Sequence, residues 1–245
     1  MTTLKELGFI NATDRPIFPR LIIGISGMDK QGKTHFGLTA PGPIAMISTD
    51  IGEEGVVNKF TDKKIVINDV GNTTDLTPET AIDEWDRFKD MYIGLLQMPK
   101  TEVSTILWDT ASELWELIRM ARFGKLEQVQ AFRYGQVNTE FENLIKVAYS
   151  YDKNLILTHR RKALYVNDKR TNETRISGYN GTNNAVQINM QAIRKPIDQG
   201  GEFTINIENC RHDPNLAGFT LENPLNNFPG IAKLLFPGTE DKDWE

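Results

Sequence analysis

The stretch that most restricts what this 245-residue chain can fold into is Gly27-Met28-Asp29-Lys30-Gln31-Gly32-Lys33-Thr34. It fits the spacing G-x-x-x-x-G-K-[ST], in which a glycine-rich loop curls around phosphate oxygens and turns successive backbone N–H groups inward. The flanking sequence suits that mechanism. An apolar run, Leu21–Ile25, leads in, and a helix pattern follows from Gly32 to about Thr39, stopped by Ala40-Pro41-Gly42-Pro43. Gly32 supplies a left-handed backbone position at low cost, and the helix start adds the positive end of its dipole. Gly27, Met28, Asp29, Lys30, Gln31, Gly32, Lys33, Thr34 and the adjoining His35 are therefore expected to line a nucleotide. Lys33 would reach the β- and γ-phosphates as a point charge, and Thr34 would offer its hydroxyl to Mg²⁺.

The rest of the chain alternates in the same way. Ile44–Ser48, Lys64–Asn68, Val103–Trp108 and Asn154–Thr158 read as short buried strands, and Pro78–Gln97, Ala111–Phe123 and Val137–Tyr151 as helices. Strands alternating with helices predict an α/β fold, with a mostly parallel central sheet covered by helices on both faces. Beyond His159 the texture changes. Arg160–Asn184 is polar and reads as a long loop, with a β-hairpin over Leu164–Ile176 as the alternative. Phe203–Asn209 alternates like a strand, and Asn226–Leu235 fits a last short helix. No internal linker is visible. The organisation expected is an extension over 1–20, one domain over 21–236 and a tail over 237–245.

Composition narrows the classes. A single cysteine, Cys210, excludes an internal disulfide framework and favours a reducing cytoplasmic compartment. The first residues lack an apolar stretch of signal-peptide length, and no run approaches the roughly 20 apolar residues of a membrane helix, so no membrane partner is expected. A net charge of −5 argues against indiscriminate nucleic-acid coating. Cys210, His212 and Asp213 lack a second Cys/His pair, which argues against zinc.

A phosphate site of this type needs an acid at the end of another strand. Asp109 ends VSTILW and is the candidate to organise Mg²⁺, although the same residue could simply cap the next helix. A hydrolytic site also needs a group to orient water. Asp50 follows the neighbouring strand and is the first choice, with Glu53 in reserve.

The order of these pieces resembles the RecA-like P-loop recombination ATPases, most closely the bacteriophage RecA-core proteins of single-strand annealing and recombination, over about Leu21 to Phe236. GMDKQGKT followed by IAMISTDIG places the family's catalytic acid at Asp50, where the family usually has Glu. ILWDTASEL places its metal-site acid at Asp109. NLILTHRRK places a γ-phosphate sensor at His159, followed by a DNA-binding loop over Arg160–Asn184 and then by GTNNAVQINMQAIRK, like the family's helix and strand. FTINIENCRHDP places at Arg211 a basic residue that reaches a neighbouring subunit's nucleotide, with Asn209 where a second would stand. The resemblance implies ATP and Mg²⁺ as cofactors and Mg-dependent, DNA-stimulated hydrolysis. It also implies a homo-oligomer with shared ATP sites and a single-strand binding protein as a further partner. The N-terminal segment is too short for bacterial RecA's helical oligomerisation domain. The implied setting is the cytoplasm, of a bacterial host if the chain is phage-encoded.

The basic residues support the same reading without the family. Arg160–Ile176 holds Arg160, Arg161, Lys162, Lys169, Arg170 and Arg175 against Asp168 and Glu173, with Tyr165 interleaved. Arg119–Tyr134 holds Arg122 and Arg133 among its cations. Cations for backbone phosphates beside aromatic faces for bases are the parts of a single-stranded DNA site. Solvated charged surface is the bland reading of both. Two rival functions use the same loop. One is a nucleotide-switched loader or adaptor with little hydrolysis, and the other is a phosphotransferase whose lid would be Arg160–Asn184.

Overall fold

The computed structural model describes residues 2–11, 19–71, 76–125, 129–167, 169–196, 198 and 200–244. Strands β1 (Ile22–Gly27), β2 (Ile44–Ser48), β3 (Ile65–Asp69), β4 (Thr105–Asp109), β5 (Asn154–Val166) and β7 (Ile188–Arg194) share one sheet. Their order is β3-β2-β4-β5-β1-β7, all parallel, and it is extended by β8 (Phe203–Cys210) and β9 (Thr220–Leu221) in antiparallel pairing. The α/β class expected from the alternating pattern is therefore what the chain adopts.

Two core clusters sit on opposite faces, because successive side chains of a strand point to opposite sides. On one face Ile22, Ile47, Trp108, Leu155 and Leu157 pack against α2 (Pro78–Gln97), α3 (Ala111–Phe123) and α4 (Tyr134–Val147). On the other, Ile23, Ile25, Leu107 and Ile156 pack against α1 (Lys33–Leu38) and α6 (Phe228–Leu235). The α2 start is fixed by its sequence: Thr77 accepts from the Thr80 N–H, Thr80 returns the bond, and Pro78 takes a position where its missing donor costs nothing. The motif after the hairpin also appears as expected, as α5 (Thr182–Ala185) followed by β7.

One expectation is corrected. Arg160–Asn184 is not a loop. β5 runs past the parallel sheet to Val166 and pairs antiparallel with β6 (Lys169–Ile176). Asn167, at φ +51°, opens the two-residue connection between Val166 and Lys169, a left-handed turn position that asparagine tolerates. Part of the segment expected as a tail packs on the domain. Trp244 is buried against Phe228 and Phe236, and Ser104 Oγ donates to its carbonyl at 3.0 Å. Among the described residues no helix is long and apolar enough to cross a membrane.

Candidate active site

The parallel strands bring their C-terminal ends to one edge, and the phosphate loop leaves β1 there. Gly32 has φ +84°, and a Cβ on it would lie 2.8 Å from the Phe203 ring, so both conformation and space require glycine. Lys30 is also left-handed, at φ +60°. Lys33 is 8% exposed and donates to the carbonyls of Gly27 at 3.2 Å and Met28 at 2.9 Å, which spans the loop with its own ammonium. Burial lowers its pKa, opposed mainly by the charge of Asp109. The Gln31 carboxamide accepts from the Met28 N–H at 2.9 Å and tightens the same turn. The His35 ring lies tilted against Phe60, with centroids 5.1 Å apart.

Asp109 closes β4 at 1% exposure. Thr34 Oγ1 donates to its Oδ2 at 2.7 Å, and Thr158 Oγ1 donates to its Oδ1. Burial raises the Asp109 pKa, while these hydroxyls pull it back down. A buried carboxylate beside a threonine hydroxyl offers hard oxygen donors of the kind Mg²⁺ prefers. No group of three or more His, Cys, Asp or Glu among the described residues could cage a metal alone. Mg²⁺ takes one or two carboxylates and completes its shell with phosphate oxygens and water. The helix-cap alternative falls to the next residue, since Thr110 Oγ1 accepts from the Glu113 N–H at 3.2 Å.

Asp50 lies beside this pair. A Cβ on Gly52 would sit 2.7 Å from Asp50 Oδ1 and 3.7 Å from Thr34 Oγ1. The Asp50 charge acts on both Lys33 and Asp109. Glu53 turns back instead, accepting from Ser48 Oγ at 2.9 Å.

Sequence reasoning did not single out Thr158, and the strand's register separates it from its neighbour His159. Thr158 touches Asp109, so alternation along β5 puts His159 on the opposite face, with Leu155 and Leu157. His159 is fully buried, neither ring nitrogen has a hydrogen-bond partner among the described residues, and burial lowers its pKa to about 4. Arg160 returns to the site face. Its Nη2 meets Asp50 Oδ2 at 2.8 Å and its Nη1 meets Glu113 Oε1 at 2.5 Å. The polar ending of a strand beside the loop was the available signal; which residue of Thr-His-Arg faces inward depends on register.

The basic residues divide into paired and unpaired. Arg160 is held by Asp50 and Glu113, Arg161 by Glu208, Ser26 and Thr174, and Arg122 by a bidentate pair with Glu140. These guanidiniums have partners within the chain. Lys162, Lys169, Arg170 and Arg175 are exposed along the hairpin, and none has an acidic partner among the described residues. Lys162 stands directly opposite Arg175. Arg133 is exposed before α4. The Tyr165 side chain lies outside the described residues.

Arg211 is at the other edge of the sheet. Cys210 pairs with Ile188, where β7 begins, and Arg211 Nη2 donates to the Asn184 carbonyl at 2.6 Å. Four residues of β1 separate that level from Gly27, about 13 Å of strand, so Arg211 does not serve the loop of its own chain.

A solved structure similar to this one is a KaiC-like protein from the hyperthermophilic archaeon Pyrococcus horikoshii OT3. It is 12% identical, covers 82% of this chain and 83% of its own, and has a TM-score of 0.49. No curated protein matches the chain. A family model described as AAA domain (AAA_24) matches residues 20–220, which take in the phosphate loop, Asp50, Asp109, the hairpin and Arg211. The chain belongs to that AAA-domain family of P-loop ATPases.

Proposed function

We propose that this protein is a RecA-like ATPase that binds and hydrolyses Mg·ATP and grips single-stranded DNA with the β5–β6 hairpin, in phage recombination, annealing or replication. The observation that carries the reading is the adjacency of the two devices. β1 delivers the phosphate loop and its neighbour β5 delivers the hairpin, with Gly27 and Arg160 in register.

Each group has a defined task. The loop amides and Lys33 hold the triphosphate. Thr34 and Asp109 would hold Mg²⁺, which neutralises phosphate charge when bound. Asp50 orients the attacking water and accepts its proton, as a carboxylate beside the metal acid can. Arg211, remote from its own loop, completes the site of a second copy in a head-to-tail oligomer.

The hairpin supports the nucleic-acid part. Like charges directly across a ladder destabilise it by roughly 0.2–1 kcal/mol, and the opposed Lys162 and Arg175 gain from a polyanion laid along them. Phosphate release measured with and without single-stranded DNA tests the reading. A rate raised several-fold by DNA is expected, and a DNA-independent rate would reject it. One observation favours the rival of a nucleotide-switched adaptor: Asp50, the water-orienting acid, is bonded to Arg160. An intrinsic turnover near zero with tight ATP binding would select that reading.

A further inference from the structure

The two ends of the sheet are finished differently. At one end β9 is two residues long, too short to template a further strand. At the other end stands β3, whose partner among the described residues is β2 alone. Its run Ile65-Val66-Ile67 carries no proline, charge or register shift to blunt the edge. Val66 is 48% exposed and Ile67 42%. Such β-branched side chains stabilise a strand through the neighbours they meet across it.

Hydrogen bonding fixes which backbone groups point outward. The Ile44 N–H donates to the Lys64 carbonyl at 2.9 Å, and the Val70 N–H donates to the Ser48 carbonyl at 2.8 Å. Even-numbered residues of β3 therefore turn their backbone groups to β2, and Ile65 and Ile67 turn theirs outward. Among the described residues nothing pairs with those outward groups. The open row is bounded at both ends. Arg87 Nη2 donates to the Asp69 carbonyl at 2.7 Å, and the Lys63 N–H donates to the Phe60 carbonyl at 3.2 Å.

This edge is complementary to its own reverse. Lys63 and Lys64 precede the apolar run, and Asn68 and Asp69 follow it. A parallel copy would set the lysines beside lysines, whereas an antiparallel copy sets them beside Asn68 and Asp69. Antiparallel pairing also requires outward residues to face outward residues. A two-fold axis through Ile67 satisfies that rule but sets Ile65 against Asp69. An axis through Val66 sets Val66 against its own copy, Ile65 against Ile67, Lys64 against Asn68 and Lys63 against Asp69.

We infer that β3 is a docking edge for a second copy of this chain, whose β3 pairs antiparallel with it across a two-fold axis at Val66. Ile65 and Ile67 each exchange a pair of main-chain hydrogen bonds with Ile67 and Ile65 of the facing copy. The two Val66 side chains meet on the face that Arg87 of α2 overlies, since Asn68, two residues on, bonds to Arg87. The isoleucines meet on the other face, where Ile65 already packs against the second core cluster. Two sheets thus become one across the axis. The contact is isologous and closes at two copies. It lies at the far end of the strand order from β8 and Arg211, so it is separate from a head-to-tail contact through Arg211 and independent of nucleotide.

The test follows self-association of the full chain by sedimentation equilibrium without nucleotide, for wild type, Val66→Lys and Ile67→Pro. Wild type is expected to show a monomer–dimer equilibrium. Val66→Lys sets like charges against each other at the axis and should weaken the dimer about tenfold or more. Ile67→Pro removes an outward N–H that β2 does not use, so it should weaken the dimer while the far-UV circular dichroism stays that of wild type. Cross-linking reads the register. With an added oxidant, Val66→Cys should give a reducible dimer, and Asn68→Cys, whose facing residue is Lys64, should give far less. The chain's own Cys210 is buried and serves as the background. A wild-type chain that stays monomeric overturns the inference, as does a dimer that Val66→Lys leaves intact. Larger oligomers that persist in Val66→Lys assign association to a head-to-tail contact and overturn it too. If both breaking variants misfold, the cysteines decide: equal cross-linking by Val66→Cys and Asn68→Cys rejects the two-fold edge.

Discussion

The phosphate loop and the β5–β6 hairpin leave neighbouring strands at the same sheet edge, yet they treat charge in opposite ways. The loop turns Lys33 inward, where it is bonded to two of the loop's own carbonyls and feels the charge of Asp109, and of its cations it leaves only Lys30 exposed. The hairpin turns its cations outward: Lys162, Lys169, Arg170 and Arg175 are exposed, and two of them oppose each other across the ladder. A site for one small, highly charged ligand must be pre-formed, since a preorganised donor needs no rearrangement when charge develops. A surface for a long polyanion needs only a row of unneutralised charge, because its affinity comes from counterion release. The most damaging substitution should therefore lie in the loop. Lys33→Ala is expected to lower phosphate release by about 100-fold or more, the scale of removing one preorganised donor from a developing charge. Turnover within threefold of wild type would break the comparison at its root.

The same contrast explains which parts were legible in the sequence. The loop's function dictates its spacing, so GMDKQGKT placed a turn, a strand before it and a helix after it. Ile44–Ser48, Pro78–Gln97 and Ala111–Phe123 were read to the residue because buried strands and amphipathic helices must display their pattern. The hairpin has no such obligation. KRTNETRI packs on no core, so both of its faces are polar and the alternation that marks a half-buried strand is missing. The hairpin over Leu164–Ile176 therefore stands in the sequence only as the alternative to a loop, although Asn167-Asp168 between two extended runs is turn chemistry. That His159 faces away from the loop while Thr158 and Arg160 face it has a different cause. A strand's face is set by register, and a shift of one residue moves every side chain to the other side.

His159 lies at the seam of the two regions, paired in register with Ser26 just before the loop. Its pKa, lowered to about 4 by burial, makes the seam sensitive to acid. Between about pH 6.5 and 4 the unfolded chain binds a proton that the folded chain does not, so stability falls as pH falls through that window and is unaffected above it. The loss approaches about 3 kcal/mol at the acid end. Urea unfolding at pH 7 and pH 4.5 should show a smaller drop for His159→Leu than for wild type. Equal drops would mean that the imidazole is not held neutral inside the fold.

A further prediction concerns the outward charge. Neutralising Lys162, Lys169 and Arg175 together should weaken single-stranded DNA binding about tenfold. The slope of log affinity against log salt should fall by about 2, since each single-strand phosphate contact contributes roughly 0.7. An unchanged slope would remove the hairpin from the DNA site, whatever happened to the affinity. Neutralising Arg122, which is committed to Glu140, should by contrast leave the slope alone.

The smallest effect tests how far the loop region is built for its ligand and not for stability. Burial raises the pKa of Asp109, so its surroundings disfavour the ionised form even though two hydroxyls bond to it. An amide of the same shape can keep one hydroxyl as donor and offer its own N–H to the other, without burying a charge. Asp109→Asn should therefore be slightly more stable than wild type, by about 1 kcal/mol, seen as a melting temperature about 2–4 °C higher. The same variant should lose the increase in melting temperature that Mg²⁺ and ATP together give the wild type, because ligand stabilisation scales with the affinity that the carboxylate provides. If Asp109→Asn melts lower than wild type without ligand, the carboxylate is a structural element of the fold. The strain between stability and ligand binding would then be confined to Lys33 and the loop backbone.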